Sequence, residues 1–195
     1  MNTPIKTLFA AMLIALSFAV AACGGGDDGE AEETAGTSTV PFDRAFIDAM
    51  VPHHRSAIEM ARAAKKAGLT EPELIEIADD IIASQQSEID RMLELREQWF
   101  GSREIDPQGA SALGLSESEM GMMDHGADEI GGADDVDRAF AEAMMPHHEG
   151  AIRMAELAQE KADHGEVKDL ADAIIEAQQR EIGVMEKHAG GGHMG

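Results

Sequence analysis

The sequence predicts an all-α protein, a four-helix bundle made from two copies of one helix pair. Composition is the first observation behind this prediction. The 195-residue chain contains no Tyr, one Trp and 13 Met, and its abundant Ala, Glu, Ile and Leu favour helices over sheets. The second observation is an internal repeat. The third is that apolar residues within each copy recur at three- and four-residue steps, the spacing of one helix face.

The internal repeat consists of two blocks that occur twice in the same order. Asp43–Ala61 matches Asp137–Ala155 at 13 of 19 positions, and Ala78–Met92 matches Ala171–Met185 at 9 of 15. Two collinear blocks of this quality indicate a duplicated unit. Neither helix pair can bury its apolar face alone, so we expect the two pairs to dock as one bundle. The predicted segments are a bundle over 41–188, with repeat one at 42–98, a linker at 99–133 and repeat two at 134–188.

Glycines and capping residues predict where the helices begin and end. Gly68 is the expected stop of the first helix, and Thr70 is the expected N-cap of the second. The second copy repeats this plan, with a start near Asp135 and a turn near Gly165. The linker carries a capping-box pattern, which predicts a short extra helix at Ser116–Met123.

The N-terminal segment 1–22 resembles a lipoprotein signal peptide. An apolar stretch follows Lys6, and Val20–Cys23 resembles the lipobox at which such signals are cut. We therefore expect lipid on Cys23, a flexible acidic tether over 23–40, and a lipid-anchored location in the cell envelope, in the periplasm or at the cell surface. Cys23 is the only cysteine, so the chain forms no intramolecular disulfide.

The charge of the chain limits the classes of partner that it can bind. Asp and Glu total 38 against 15 Lys and Arg, a formal net charge of −23 at pH 7. Such a surface repels nucleic acids and anionic lipid headgroups. We therefore expect no nucleic-acid partner, and a membrane contact made through the lipid on Cys23.

Each repeat carries a Met-x-x-His-His motif on its first helix. The motif is Met50-Val51-Pro52-His53-His54 in repeat one and Met144-Met145-Pro146-His147-His148 in repeat two. Residues three or four apart share a helix face, which places a thioether beside the imidazoles. If the helices pair about a pseudo-twofold axis, four imidazoles and several thioethers converge near the bundle centre.

The donor types in these motifs favour a soft metal. Di-iron proteins of the ferritin type place Glu-x-x-His on their helices, which combines a hard carboxylate with imidazole. This chain has no Glu-x-x-His and carries Met-x-x-His instead. Thioether in place of carboxylate shifts the preference from iron or manganese towards Cu(I) or Ag(I). Copper, as Cu(I), is therefore the expected ion.

Further candidate residues lie outside the two motifs. Glutamines and glutamates on the partner helices are expected to orient the imidazoles or, alternatively, to hold them in a structural polar network; they are Gln85, Glu88, Gln178 and Glu181. Met and His in glycine-rich segments are expected to be peripheral capture sites; they are Met122, Met123, His125, His188 and His193. The tail 189–195 is otherwise expected to be disordered.

In these motifs the chain resembles the domain-of-unknown-function 305 (DUF305) family. The resemblance rests on the Phe46–Ala61 motif, its copy over Phe140–Ala155 and two Gln-x-x-Glu-Ile blocks, and it covers most of 42–188. It implies a ferritin-like four-helix bundle that is often secreted or lipid-anchored, with some members that bind copper or silver and contribute to copper tolerance. The metal ligands that it implies are Met50, His53, His54, Met144, His147 and His148, with Met60 and Met154 in addition.

Three functions remain open on the sequence alone. The first is copper binding in the envelope for buffering, tolerance or transfer, without catalysis, together with a copper donor or acceptor protein. The second is a ferritin-like dinuclear metalloenzyme that uses His with Glu88, Glu181, Asp43 or Asp137; the missing Glu-x-x-His disfavours it. The third is a structural or interaction bundle whose histidines form a polar core network.

Overall fold

A computed structural model of the protein describes residues 40–122 and 126–190. All regular structure within these residues is helical: α1 (Phe42–Ala67), α2 (Pro72–Phe100), α3 (Gly109–Ala112), α4 (Ala127–Gly131), α5 (Val136–Lys161) and α6 (Gly165–Ala189). The predicted all-α class is confirmed. None of these six helices is long and apolar enough to cross a membrane. The predicted signal peptide and the lipid on Cys23 lie outside the described residues.

Each repeat forms an antiparallel helix pair. Side-chain contacts between α1 and α2 run from Asp48–Arg96, through His54–Glu88, to Lys65–Asp79. The first helix ends where the sequence predicts, because Gly68 adopts a left-handed conformation with φ 108° that other residues rarely adopt. Across the repeats, α1 packs directly against α5, and α3 and α4 both pack on α1.

The core consists of two apolar clusters, one towards each end of the bundle. Apart from Ile58 in α1, the two clusters occupy opposite halves of each of the four long helices, and each cluster takes residues from both repeats. The Phe46 cluster includes Phe46, Met50, Ile89, Met92, Met154 and Ile174. The Phe140 cluster includes Met60, Leu74, Ile81, Phe140, Met144 and Met185.

The two repeats also cap each other's second helix. The buried Asp43 carboxylate of repeat one accepts hydrogen bonds from the backbone N–H groups of Asp163 and His164, both at 3.0 Å, at the start of α6. Asp137 of repeat two accepts from Thr70 N–H at 2.9 Å and Glu71 N–H at 3.0 Å, at the start of α2. The prediction that the Thr70 side chain caps α2 is therefore wrong, because the cap comes from Asp137 of the other repeat.

A buried ion pair within repeat one also holds the start of the linker. Arg96 donates to both carboxylate oxygens of Asp48, at 2.6 and 3.2 Å, and to the carbonyl of Ser102 at 2.6 Å. Both side chains are almost fully buried. At the start of α3, Gly109 packs so closely on Asp48 that a Cβ there would overlap the Asp48 side chain. The linker therefore follows α1 rather than extending into solvent.

The predicted helix at Ser116–Met123 is a single turn. Its capping box does form: Ser116 N–H donates to Glu119 at 2.9 Å, and Glu119 N–H donates to the Ser116 hydroxyl at 3.3 Å. Gly121, with φ 69°, then reverses the chain, and Met122 N–H bonds back to Glu117 O. The prediction was wrong because this left-handed glycine ends the helix after one turn. The short helices of the linker are α3 and α4, on either side of it.

Candidate metal centre

A layer of buried polar side chains separates the two apolar clusters. In each long helix its members lie between the residues that the helix gives to the Phe46 cluster and those that it gives to the Phe140 cluster. None of these side chains is more than 3% exposed. The layer contains His53, His54, Gln85, His147, His148 and Gln178.

His53 and His147, one from each repeat, meet ring to ring at the centre of this layer. Their ring centroids are 3.8 Å apart, with the planes inclined at 34°. His53 Nε2 donates to the carbonyl of Met120 at 2.8 Å, which leaves Nδ1 as the nitrogen with a lone pair. That Nδ1 has no hydrogen-bond partner, and neither ring nitrogen of His147 has one. Buried nitrogens without partners are uncommon in folded proteins, so these atoms are candidates for ligand binding.

Burial keeps both rings uncharged at neutral pH. Burial, and then the neighbouring His54, lower the pKa of His53 from 6.5 to about 3. Burial and the adjacent His53 ring hold the pKa of His147 well below its ordinary value. Since only the neutral imidazole binds a metal ion, the two rings are in the competent state without having to lose a proton.

The second histidine of each pair faces its own partner helix. His54 Nε2 lies 2.7 Å from a carboxylate oxygen of Glu88, and His148 Nε2 lies 2.6 Å from one of Glu181. A carboxylate accepts from the ring N–H, so it fixes the ring orientation and leaves Nδ1 with the lone pair. The Nδ1 atoms of both rings are buried without a partner, as are the Oε1 atoms of Gln85 and Gln178.

A cavity of about 400 Å³ lies over the central ring pair, between α1, α5 and the linker. Its floor includes His53 and His147, and each is accompanied by the proline that precedes it in the chain. Three methionines also line it: Met60 from α1, and Met120 and Met122 from the linker. Two histidines and three methionines therefore line one space.

The linker reaches this position because α5 has a glycine where α1 has a serine. Gly150 is the repeat-two equivalent of Ser56, and a Cβ on Gly150 would overlap the carbonyl of Met120. A Cβ on Gly121 would in turn overlap the backbone of Pro146. The linker backbone lies directly on α5, and the two halves of the site differ as a result.

The structure brings together only some of the predicted residues. His53, His147, Met60 and Met122 line the cavity. The remaining methionines of the predicted set fill the apolar clusters and do not line it; they are Met50, Met144 and Met154. Among residues 40–122 and 126–190, no three His, Cys, Asp or Glu side chains are placed to hold one metal ion.

Of the predicted peripheral metal-binding residues, too, only some line the cavity. His188 lies 3.1 Å from the carboxylate of Glu73 and takes no part in the cavity. Met123, His125 and His193 lie outside the described residues. Met120 lines the cavity although it is not among the predicted ligands. The signal that could have found it is Gly150, because the missing side chain marks where another segment approaches the helix.

Comparison with known proteins places this architecture in a family. The model of a domain of unknown function, DUF305, matches residues 43–189 and also 21–96. The chain belongs to the DUF305 family. Among curated proteins, none matches it.

Solved structures similar to this DUF305 chain include CopM and a DUF305 protein from Streptomyces coelicolor. The Cu(I)-bound form of CopM is 35% identical over 74% of this chain and 93% of CopM, with a TM-score of 0.62. The Cu(II)-bound form is 32% identical over 76% of this chain and 95% of CopM, with a TM-score of 0.63. The Streptomyces protein, 24% identical over 74% of this chain and 90% of its own with a TM-score of 0.67, supports the fold.

Proposed function

We propose that this protein binds a soft metal ion, Cu(I) first, in the cavity beneath the linker. The observation that carries the proposal is the His53–His147 pair, two buried neutral rings with unpartnered nitrogens that share a cavity with three thioethers. Imidazole and thioether donors together suit Cu(I) and Ag(I).

Residues from both repeats could bind one such ion together. His147 offers either ring nitrogen, whereas His53 offers Nδ1 while its Nε2 stays bonded to Met120 O. Met60, Met120 and Met122 supply the soft donors around them. The outer histidines, His54 and His148, hold their Glu partners and position the layer. We therefore expect one shared site per chain rather than one site per repeat.

The similarity to CopM supports an ion of the copper and silver type. CopM has been solved with Cu(I), with Cu(II) and with silver. The three forms are 32–35% identical to this chain. This level of identity, together with the imidazole and thioether donors, favours a copper ion as the cargo of the present protein.

The role that fits this site is binding without turnover. We propose that the protein buffers copper or hands it to a donor or acceptor protein, from a position in the cell envelope to which the lipid on Cys23 anchors it. The cavity meets a mouth lined by Glu117 and Met122, both exposed. A ligand-exchange partner would reach the ion from this side.

Competition with a chromophoric Cu(I) chelator under anaerobic conditions tests the proposal. We expect one tight equivalent of Cu(I), and an affinity that falls by about a hundredfold when His53 and His147 are both replaced by Ala. Met60→Leu should weaken binding by about tenfold. Met154→Leu is the matched control, since Met154 is the repeat-two equivalent of Met60, is buried and lies outside the cavity.

Either of two results would contradict the proposal. One is a Cu(I) affinity that does not change in the double histidine variant. The other is an equal effect of Met60→Leu and Met154→Leu, which would mean that the methionines act through packing. Zn(II) run in parallel should bind more weakly, because zinc has no preference for thioether.

A further inference from the structure

The three methionines of the cavity differ sharply in their access to solvent. Met60 is 3% exposed and Met120 is 5% exposed, whereas Met122 is 38% exposed. Elsewhere in the part of the chain that the structure describes, Met145 is half-buried and the other methionines are buried. Met122 is thus the one described methionine with an exposed side chain, and it lies at the mouth of the cavity.

An exposed thioether reacts with hydroperoxides, and a buried one reacts far more slowly. Oxidation to methionine sulfoxide follows solvent access, and it converts an apolar side chain into a polar one. In most proteins an exposed methionine is oxidised without consequence. Met122 differs because its side chain shares a cavity with His53 and His147, in which His53 Nδ1 and both His147 ring nitrogens are buried without a partner.

We infer that Met122 is a modification site for hydroperoxides, at which oxidation lowers the affinity of the cavity for a soft metal ion. The second half of this inference rests on the proposed function, and the first half does not. The ligand class is a soft monovalent ion, and the reagent class is a two-electron oxidant of the hydroperoxide type.

The chemistry balances with hydrogen peroxide as the co-reactant. A lone pair of the Met122 sulfur attacks one peroxide oxygen, an S–O bond forms and the O–O bond breaks. The second oxygen leaves as hydroxide and takes the proton from the S–OH group, which gives the sulfoxide and water. The sulfur is oxidised by two electrons and the peroxide is reduced by two. A methionine sulfoxide reductase reverses the change.

Oxidation removes one soft donor and leaves the others in place. The sulfoxide presents a hard oxygen, which Cu(I) and Ag(I) bind less well than a thioether. Met60 and Met120 stay protected by burial, and both histidines remain. The expected result is therefore a graded loss of affinity, about tenfold, rather than abolition of binding.

The first arm of the test maps the site of oxidation. The purified metal-free protein is treated with hydrogen peroxide, and tandem mass spectrometry follows the sulfoxide at each methionine with time. We expect Met122 to be oxidised before Met120, and well before Met92 and Met185. Equal rates at Met122 and the buried methionines would overturn the assignment.

The second arm asks whether the metal and the oxidant compete for the same sulfur. Ag(I) is used because it does not itself react with peroxide as copper does. One equivalent of Ag(I) should slow oxidation of Met122 by about tenfold, and it should leave Met145, which does not line the cavity, unchanged. An unchanged rate at Met122 would contradict a role for its sulfur in binding.

The third arm measures affinity. Oxidised protein should bind Ag(I) about tenfold more weakly than reduced protein, at the level of Met122→Leu, and the Met122→Leu variant should be insensitive to peroxide. If reduced protein binds Ag(I) and oxidation of Met122 leaves the affinity unchanged, this inference fails while the proposed function stands. If reduced protein binds no Ag(I) or Cu(I), the proposed function fails.

Discussion

Gly150 and Ser56 occupy equivalent positions in the two repeats, and the difference between them decides where the linker lies. The carbonyl of Met120 fills the space that a Cβ on Gly150 would need. The same carbonyl accepts the hydrogen bond from His53. A change at this one position therefore acts on the linker, on His53 and on the cavity together.

Replacing Gly150 by Ser should destabilise the protein although it restores the residue found in repeat one. The clash is with backbone, which cannot rotate away, so we expect a loss of about 1–3 kcal/mol in the free energy of unfolding. Gly183→Ala is the matched control in α6, where a Cβ meets no other atom. That change should stabilise by about 0.5–1 kcal/mol, because glycine is unfavourable inside a helix. Urea denaturation measures both, and a stable Gly150→Ser variant would contradict the close approach.

The central histidines should make the metal-free protein sensitive to acid. Their pKa values lie below 6.5 in the folded protein, with that of His53 at about 3. In the unfolded chain both rings take up protons near 6.5, so between pH 6.5 and 3 the unfolded state binds more protons than the native state. The free energy of unfolding should therefore fall as the pH drops through this window, and these two groups should contribute no pH dependence above it.

Urea denaturation of the metal-free protein across this pH range measures the effect. The control is the double variant His53→Gln, His147→Gln, in which both rings are replaced by side chains that do not titrate. Its stability should depend less steeply on pH than that of the unmodified protein. Equal slopes for the two proteins would show that other groups cause the acid sensitivity.

At the scale of the elements, the reciprocal caps tie each second helix to the other repeat. Asp43→Ala and Asp137→Ala should each cost about 0.5–2 kcal/mol, since each leaves backbone N–H groups at a helix start without a partner. The two caps share no partner, so the double variant should show the sum of the single losses to within about 0.5 kcal/mol. Chemical denaturation gives all three values.

An exposed aspartate provides the control for the caps. Asp169 lies on α6 beyond its first turn, and Asp169→Ala should change the stability by no more than about 0.5 kcal/mol. If Asp169→Ala lowers the free energy of unfolding as much as Asp43→Ala does, the effect at Asp43 comes from the change in net charge and not from the loss of the cap. A loss in the double variant far from the sum would mean that the two caps are coupled.

At the scale of the whole molecule, the net charge of −23 opposes folding through self-repulsion. Added salt screens this repulsion, because the Debye length falls from about 30 Å at 0.01 M to about 10 Å at 0.1 M. We expect Tm to rise with NaCl concentration, by about 2–4 °C for each kcal/mol of repulsion removed. Thermal unfolding followed by circular dichroism measures this. KCl should act equally, and a Tm that falls or stays level in both salts would contradict the prediction.

The fold was predictable from the sequence because the internal repeat and the helical periodicity can both be recognised in the sequence itself. The end of the first helix at Gly68 and the paired histidines could be recognised in the same way. The site was predictable only in part. Met50 shares a helix face with His53, yet it packs in the Phe46 cluster, since spacing does not say which neighbour a face meets. Met120 lines the cavity because the linker packs on α5, and this tertiary contact is not visible in the spacing of residues along the sequence. Asp43 and Asp137, which the sequence allowed as metal partners, cap helices instead.

The exchange of caps between the repeats has a consequence for how such a chain could arise. A half-length ancestor with one repeat would already carry both an aspartate and the turn that it caps, so two identical copies related by a twofold axis would complete each other. In that homodimer every substitution appears twice. Only after fusion into one chain can Gly150 differ from Ser56. The cavity, with a linker over one side, thus records the loss of a symmetry that the caps still preserve.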